Sequence, residues 1–202
     1  MGNVPGTIGY RGIVERFIDA TGSISFADLH QPYLDLIPAQ PGRILDVGAG
    51  VGRDAAILAG MGHRVTAVEP LPEFLSAARR LNHHKAIYWL EDALPLLASL
   101  DAEVGCFDFV LASAVWHHLS VEERAIACSR IAKLTKSGGI FALSLRHGPA
   151  GQGRHVFPTD LEQTLTMALS HGFKVVVAQT NLPSQMPNKS GVTWSKVALE
   201  RM

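Results

Sequence analysis

The segment Arg43–Asp54, RILDVGAGVGRD, constrains the fold of this chain more than any other. Apolar Ile44, Leu45 and Val47 precede three glycines at alternate positions, which is typical of a buried parallel strand that runs into a tight turn. A helix that begins near Arg53 would point its free amide groups and the positive end of its dipole at that turn. The segment therefore predicts a strand–turn–helix unit that binds an anionic part of a nucleotide-like ligand.

The spacing of the glycines separates two kinds of cofactor site. A dinucleotide site has the pattern G-x-G-x-x-G, in which the third glycine allows the helix to pack closely on the strand. Here Gly48, Gly50 and Gly52 form G-x-G-x-G, Arg53 occupies the third-glycine position, and Asp46 precedes the first glycine by two residues. The pattern D-x-G-x-G-x-G after an apolar strand resembles the first motif of the class I S-adenosylmethionine-dependent methyltransferases.

Acidic residues follow the next two predicted strands. Glu69 and Pro70 end the second strand, where a carboxylate can accept both hydrogen bonds from a ribose diol. A nicotinamide site places an acid there too, so Glu69 does not separate the two cofactors. Asp92 and Ala93 follow the third strand and resemble the family motif in which a carboxylate and the next backbone amide hold the adenine edge.

The segment Phe107–Leu119, FDFVLASAVWHHL, resembles the fourth strand of the family and the HHL that follows it in small-molecule methyltransferases. Gly138 and Gly139 before the next strand match the family pattern as well. These motifs occur in the family order, so the resemblance extends over residues from about 40 to 199. It implies an S-adenosylmethionine site that is formed by Asp46, Gly48, Ala49, Gly50, Gly52, Arg53, Glu69, Pro70, Asp92, Ala93 and Ser113.

Two adjacent histidines follow the fourth strand, beside the position expected for the methyl group. Because an imidazole titrates near neutral pH, His117 or His118 can act as the general base on a hydroxyl or amine. The alternative is that one of them only caps or packs the turn between strand and helix. Neighbouring side chains on a regular element point in different directions, and no third ligand has suitable spacing, so we expect no metal site.

The candidates on the acceptor side are cations and one aromatic residue. Arg146 and His147 end the fifth strand, and Arg154 and His155 follow in a glycine-rich loop. Two cations near the cleft can hold an acidic substrate, an arginine through bidentate hydrogen bonds, although a solvated loop explains these residues equally well. By analogy with related folds, we expect Tyr10 and the N-terminal helix to fold over the cofactor as a lid, with Tyr10 against the substrate.

The alternation of predicted strands and helices from Arg43 onward implies an α/β fold with a doubly wound, mostly parallel seven-stranded sheet. The resemblance implies that this sheet has the Rossmann-like methyltransferase fold. We assign residues 1–40 to a short N-terminal helical extension or lid, and residues 41–202 to the S-adenosylmethionine-binding domain. The last strand is expected to be antiparallel because a loop, not a helix, leads into it.

The later element boundaries follow from caps and breakers. The helix that starts at Ser120 is expected to end at Gly138-Gly139, and Thr159 is expected to cap the next helix. The last three strands are predicted over residues 140–145, 173–178 and 192–199.

Composition excludes several classes of partner. With 202 residues, no formal net charge and a pI of about 7.1, nothing favours nucleic acid or an anionic membrane. Cys106 and Cys128 lack C-x-x-C spacing and are expected to be small buried hydrophobes. No apolar run of about eighteen residues and no secretion signal occur, so we expect a cytoplasmic protein.

The leading hypothesis is an S-adenosylmethionine-dependent methyltransferase that acts on an unidentified small molecule by in-line displacement. The run after the fourth strand is neither D-P-P-Y nor N-P-P-Y, which disfavours the enzymes that methylate amino groups of nucleic acids. An NAD(P)-dependent oxidoreductase is one alternative; Arg53 in the third-glycine position and the absence of a Y-x-x-x-K motif count against it. A non-catalytic S-adenosylmethionine-binding module is the other, and the oligomeric state is not indicated.

Overall fold

A computed structural model of the protein describes residues 4–150, 153, 155–186, 189 and 191–202. Arg154, a predicted anion-binding residue, lies outside these ranges. The strands are β1 (Arg43–Val47), β2 (Arg64–Val68), β3 (Ile87–Leu90), β4 (Phe107–Ala112), β5 (Thr135–His147), β6 (Phe173–Pro183) and β7 (Thr193–Arg201). The helices are α1 (Val14–Gly22), α2 (Phe26–His30), α3 (Arg53–Gly60), α4 (Pro72–Leu81), α5 (Val121–Leu134) and α6 (Leu161–Ser170).

The seven strands form one sheet in the order β3-β2-β1-β4-β5-β7-β6. The neighbours from β3 to β5 are parallel, whereas β7 runs antiparallel to both β5 and β6, as the loop that leads into it predicts. The predicted fold class is confirmed. The strand order reverses between β1 and β4, so a crevice opens there at the carboxyl ends of the strands, where ligands bind in such sheets.

Both faces of the central strands are buried, which explains their nearly continuous apolar sequences. On one face, Val110 of β4 and Ile131 of α5 belong to the same apolar cluster. On the other face, Phe109 of β4 clusters with Leu58 of α3. The sheet is therefore a rigid platform, and the loops at its carboxyl edge carry the polar groups.

Two predicted helix boundaries are wrong. Helix α5 ends at Leu134 and not at Gly138-Gly139, because Thr135 already pairs with Phe107 of β4 and opens strand β5. Helix α6 is capped by Asp160, whose carboxylate accepts a hydrogen bond of 2.7 Å from the Gln163 amide. Thr159 instead donates its hydroxyl to the Arg146 carbonyl at 2.8 Å, so it fastens the end of β5.

The last three strands are longer than predicted, since β5 covers 13 residues, β6 covers 11 and β7 covers nine. Strand β6 is mostly solvent-exposed and has two register shifts against β7, so its sequence lacks a regular apolar alternation. Its length is determined by hydrogen bonds to β7, which a local pattern does not reveal.

The N-terminal extension packs on the carboxyl edge of the sheet. The Phe17 ring of α1 lies 4.8 Å from the Phe74 ring of α4, measured between centroids. The helical turn Gln31–Leu36 buries Tyr33, whose hydroxyl donates a hydrogen bond to the Leu143 carbonyl of β5. Within the described residues, no helix is long and apolar enough to cross a membrane.

Candidate active site

The glycine turn after β1 has the backbone conformation that its sequence predicts. Gly48, Gly50 and Gly52 have φ angles of 70°, 58° and 82°, a left-handed region that favours glycine. A Cβ at Gly52 would also collide with the Trp89 ring of β3. Gly52 is therefore required for packing of the turn, and it does not line the cavity described below.

Glu69 at the end of β2 holds the glycine turn in place. Its two carboxylate oxygens accept hydrogen bonds from the backbone amides of Gly50, at 2.9 Å, and Leu71, at 2.8 Å. The side chain is buried, and this burial raises the pKa of Glu69 to about 7. Each oxygen keeps a further lone-pair direction for a ligand.

Asp46 lies at the end of β1 and is 2% exposed. Its Oδ2 atom has no hydrogen-bond partner among the described residues. Burial, followed by the nearby carboxylates of Asp54 and Glu69, raises the pKa of Asp46 well above its usual value. Because a buried polar atom normally has a partner, this oxygen indicates a hydrogen-bond donor on the ligand.

Asp92 closes the loop that follows β3. Its Oδ1 accepts a hydrogen bond from the Ala93 amide at 2.7 Å, and its Oδ2 accepts one from the Ser99 amide at 2.8 Å. The Ala93 amide, expected at the adenine edge, thus donates to its own neighbour in this structure. Asp92 lines the cavity with its remaining acceptor capacity.

Arg53 has a role that its place in the glycine pattern did not reveal. Its guanidinium donates to the backbone carbonyls of Thr21, at 3.2 Å, and Ile24, at 2.9 Å, and to the Asp54 carboxylate at 2.9 and 3.1 Å. Asp54 also bonds to the buried His30 at 2.7 Å. Arg53 therefore anchors the N-terminal extension to the first turn of α3, at the edge of the site.

The turn after β4 lies directly beside the glycine turn. Ala114 has a φ angle of 58°, and its amide donates a 2.7 Å hydrogen bond to the Ser144 hydroxyl of β5. A Cβ at Gly48 would lie 2.5 Å from a Val115 methyl group, so the two turns are in close contact. Ser113 lies at this junction and lines the cavity.

The structure joins Tyr10 to His118, two residues that no sequence motif connects. His118 Nδ1 lies 2.9 Å from the His155 carbonyl oxygen, which can only accept, so Nδ1 carries a proton. The other ring nitrogen, Nε2, is then an acceptor for the Tyr10 hydroxyl at 3.2 Å. Burial lowers the pKa of His118, which favours this neutral tautomer at pH 7.

His117 is more enclosed than His118. It is 5% exposed, and its Nδ1 atom has no hydrogen-bond partner within the described ranges. Burial lowers the pKa of His117 well below its usual value, and the neighbouring His118 and Arg146 act in the same direction. Its ring lies 5.9 Å from the Trp194 ring of β7 in an edge-on arrangement.

One cavity of about 760 Å³ unites these groups, a volume in the range of about 300–1,000 Å³ typical of small-molecule sites. It lies between the glycine turn, the carboxyl ends of the parallel strands, the N-terminal extension and the β6–β7 hairpin. The residues predicted for the cofactor site all line it except Gly52, and so do His117, His118, Arg146 and Tyr10. The cavity is also lined by four residues that no sequence motif indicates, because only strand register brings them there: Ser144, Gln179, Trp194 and Lys196.

In the part of the chain that is described, no group of three His, Cys, Asp or Glu side chains is arranged to hold a metal ion.

Comparison with known proteins assigns the family of this domain. Residues 45–143 match the methyltransferase domain family. A ubiquinone biosynthesis O-methyltransferase of Methylocella silvestris is 35% identical over 109 residues, which are 54% of this chain and 41% of that protein. An uncharacterized methyltransferase of Mycobacterium bovis is 32% identical over 109 residues, again 54% of this chain and 41% of that protein. The match thus spans less than half of the length of these relatives.

Solved structures share the whole fold at low identity. The 1,6-didemethyltoxoflavin-N1-methyltransferase of Burkholderia thailandensis has a TM-score of 0.70 at 22% identity, over 95% of this chain and 84% of that one. That structure contains 1,6-didemethyltoxoflavin and S-adenosylhomocysteine. Phosphoethanolamine N-methyltransferase 2 of Haemonchus contortus, with S-adenosyl-L-methionine, has a TM-score of 0.76 at 15% identity, over 100% of this chain and 60% of that one.

The sheet order and the glycine turn define an α/β cofactor-binding domain of the Rossmann-like type. The family match and the shared fold narrow this class of cofactor-binding domain to methyltransferases. These findings support the class I S-adenosylmethionine-dependent methyltransferase family that the sequence motifs predicted. The nicotinamide alternative is not favoured.

Proposed function

We propose that the protein transfers the methyl group of S-adenosylmethionine to a small molecule by in-line displacement. The observation that carries this proposal is one cavity at the switch point of the sheet, which unites the glycine turn, Glu69 and Asp92 with His117 and His118. The buried, unpartnered Oδ2 of Asp46 fits a cofactor that carries an ammonium group. When bound, the cofactor supplies an electrophilic methyl group on a sulfonium.

In this proposal, different residues contact different parts of the cofactor. The turn around Ala49 and the first amides of α3 face the amino-acid part of the cofactor, where the helix dipole favours its carboxylate. Glu69 accepts hydrogen bonds from the ribose diol, next to Pro70. Asp92 and Ala93 meet the adenine edge, and Ser113 completes the wall toward the methyl group.

The hydrogen bond from Tyr10 to His118 suggests how the acceptor loses its proton. An acceptor hydroxyl or amine donates to the Tyr10 oxygen, the Tyr10 proton moves to His118 Nε2, and the His155 carbonyl stabilises the imidazolium through Nδ1–H. Arg146 contacts the acceptor from β5. His117, which also lines the cavity, is the alternative base.

The small-molecule acceptor is supported by the size of the cavity, about 760 Å³, and by the ligand that occupies the toxoflavin-type methyltransferase. We also propose that residues 1–40 form a lid over the cofactor. The contact of Phe17 with Phe74 of α4, and the hydrogen bonds from Arg53 to the carbonyls of Thr21 and Ile24, support this role. The cytoplasmic location and the absence of a nucleic-acid partner stay predictions.

Isothermal titration with S-adenosylhomocysteine and with NADH tests the cofactor half of the proposal. We expect binding of the first ligand only, and binding of NADH alone would refute the proposal. Asp92→Ala should weaken cofactor binding, whereas His118→Ala should leave it intact and slow methyl transfer to a screened acceptor. Equal losses of binding in both variants would contradict this division, and melting temperatures control for misfolding of the Asp92 loop.

A further inference from the structure

Three neighbouring strands, β5, β7 and β6, contribute one wall of the cavity, which we call its floor. Ser144 of β5 pairs with Lys196 of β7, which in turn pairs with Gln179 of β6. One step along the same face, Arg146 of β5 pairs with Trp194 of β7. Paired residues in an antiparallel ladder share a face, and all five line the cavity. The floor of the cavity therefore carries two cations.

Lys196 is a buried cation without an anionic partner. It is 5% exposed, and within the described ranges its ammonium makes no ion pair and no hydrogen bond. Its Nζ atom lies 5.7 Å from the centre of the Tyr33 ring. The charge of Asp54 acts on it from α3, but that carboxylate is already bonded to Arg53 and His30.

Arg146 is similarly free. It is 9% exposed, and its guanidinium makes one hydrogen bond, of 3.3 Å to the Gly148 carbonyl, among the residues that the structure describes. The residues outside the described ranges include no Asp or Glu, so they hold no side-chain carboxylate that could neutralise either cation.

The register places Arg146 and Lys196 at diagonal positions of adjacent strands. Diagonal neighbours have Cα atoms about 7–8 Å apart, so both side chains can reach one group between them. Trp194 and Leu182 add an apolar surface beside this pair.

The acids and the cations described here lie on different strands. The buried acids Asp46, Glu69 and Asp92 lie at the carboxyl ends of β1, β2 and β3, where we place the cationic cofactor. The two unpaired cations lie on β5 and β7 instead. Because a buried charge without a partner costs free energy, such a pair indicates a ligand that brings the compensating anion.

We propose that Arg146 and Lys196 bind an oxyanion of the methyl acceptor, a carboxylate or phosphate carried on an apolar body. That the ligand is the methyl acceptor rests on the proposed function, whereas the anion site itself rests on the two cations. Burial lowers the pKa of Lys196 to about 8, with Asp54 raising and Arg53 lowering it, so the ammonium predominates at pH 7. Arg146 provides the bidentate donor geometry that suits either oxyanion.

The experiment titrates three probes of similar size into the full chain, with and without saturating S-adenosylhomocysteine. The probes are 4-hydroxybenzoate, phenyl phosphate and neutral 4-hydroxybenzyl alcohol. We expect at least one of the anions to bind at least tenfold more tightly than the alcohol, and the stronger anion identifies the group. Lys196→Met should remove this tenfold preference, and Lys196→Arg should restore most of it. The control is Lys85→Met, a charge removed from an exposed loop position, which should behave as the unaltered protein.

Unchanged anion affinity in Lys196→Met would overturn the proposal, as would equal binding of the anions and the alcohol by the unaltered protein. The melting temperature of Lys196→Met should stay the same or rise, because an uncompensated cation is replaced by an apolar chain of similar length. A lower melting temperature with intact anion affinity would show a structural lysine and refute the site. Failure to bind S-adenosylhomocysteine, with lysine-dependent anion binding retained, would refute the proposed function alone.

Discussion

Glu69 should make cofactor affinity depend on pH near neutrality. Burial raises the pKa of Glu69 to about 7 in the free protein. The carboxylate already accepts the amides of Gly50 and Leu71, and only its ionised form can accept two further hydrogen bonds from a ribose diol. Cofactor binding therefore selects the ionised form, and affinity should rise with pH until Glu69 is fully ionised.

The magnitude follows from the fraction of ionised Glu69. With a pKa of about 7, roughly one eleventh of the protein is ionised at pH 6 and about ten elevenths at pH 8, so the affinity should differ about tenfold. The unliganded protein behaves in the opposite sense. Because the folded pKa lies above the unfolded value of 4.5, the stability contributed by Glu69 is present below that value and is lost as the pH rises toward 7.

Calorimetric titration of S-adenosylhomocysteine at pH 6, 7 and 8, in two buffers of different ionisation enthalpy, measures both the affinity and the protons released. We expect about half a proton to be released at pH 7. Glu69→Gln should abolish the release and lower the affinity at pH 8 about tenfold to a hundredfold, since a hydrogen bond to a charged group contributes about 1.5–3 kcal/mol. The exposed Glu162→Gln is the matched control.

Binding that does not vary with pH in the unaltered protein would refute this reasoning about Glu69. The same pH slope in Glu69→Gln would refute it as well, because another group would then be the one that titrates.

Three further substitutions test other parts of the site. Tyr10→Phe should lower kcat without changing the affinity for S-adenosylhomocysteine. The expected loss is about a hundredfold or more, because general base catalysis usually contributes a factor of that size. An unchanged kcat would exclude the Tyr10–His118 relay. Gly52→Ala should destabilise the fold by more than about 1 kcal/mol in urea unfolding, because of its left-handed φ and its contact with Trp89, and an unchanged midpoint would contradict this. Arg53→Met should expose the extension to limited proteolysis between α1 and α2; the same cleavage rate as in the unaltered protein would show that this anchor is not needed.

The sequence predicted the local features of this protein well. Each of these features depends on residues that are close together in the chain, so a single sequence reveals it. They are the glycine turn, the acids after β2 and β3, and the alternation of strands and helices. Their order was sufficient for the fold class and the methyltransferase family. The boundaries at Gly138-Gly139 and Thr159 were wrong because strand pairing with β4 and the carbonyl of Arg146 override the local signals of glycine and threonine there.

The acceptor side was decided by tertiary structure. Tyr10 and His118 are 108 positions apart, and no local pattern links them. Arg146 and Lys196 become neighbours only through the register of β5 against the antiparallel β7. Arg53 looked like a variation of the glycine motif until the extension placed two carbonyl groups within reach of its guanidinium. The sequence alone determined the cofactor class, because backbone turns and helix termini are local; the acceptor chemistry depends on side chains that only the folded sheet brings together.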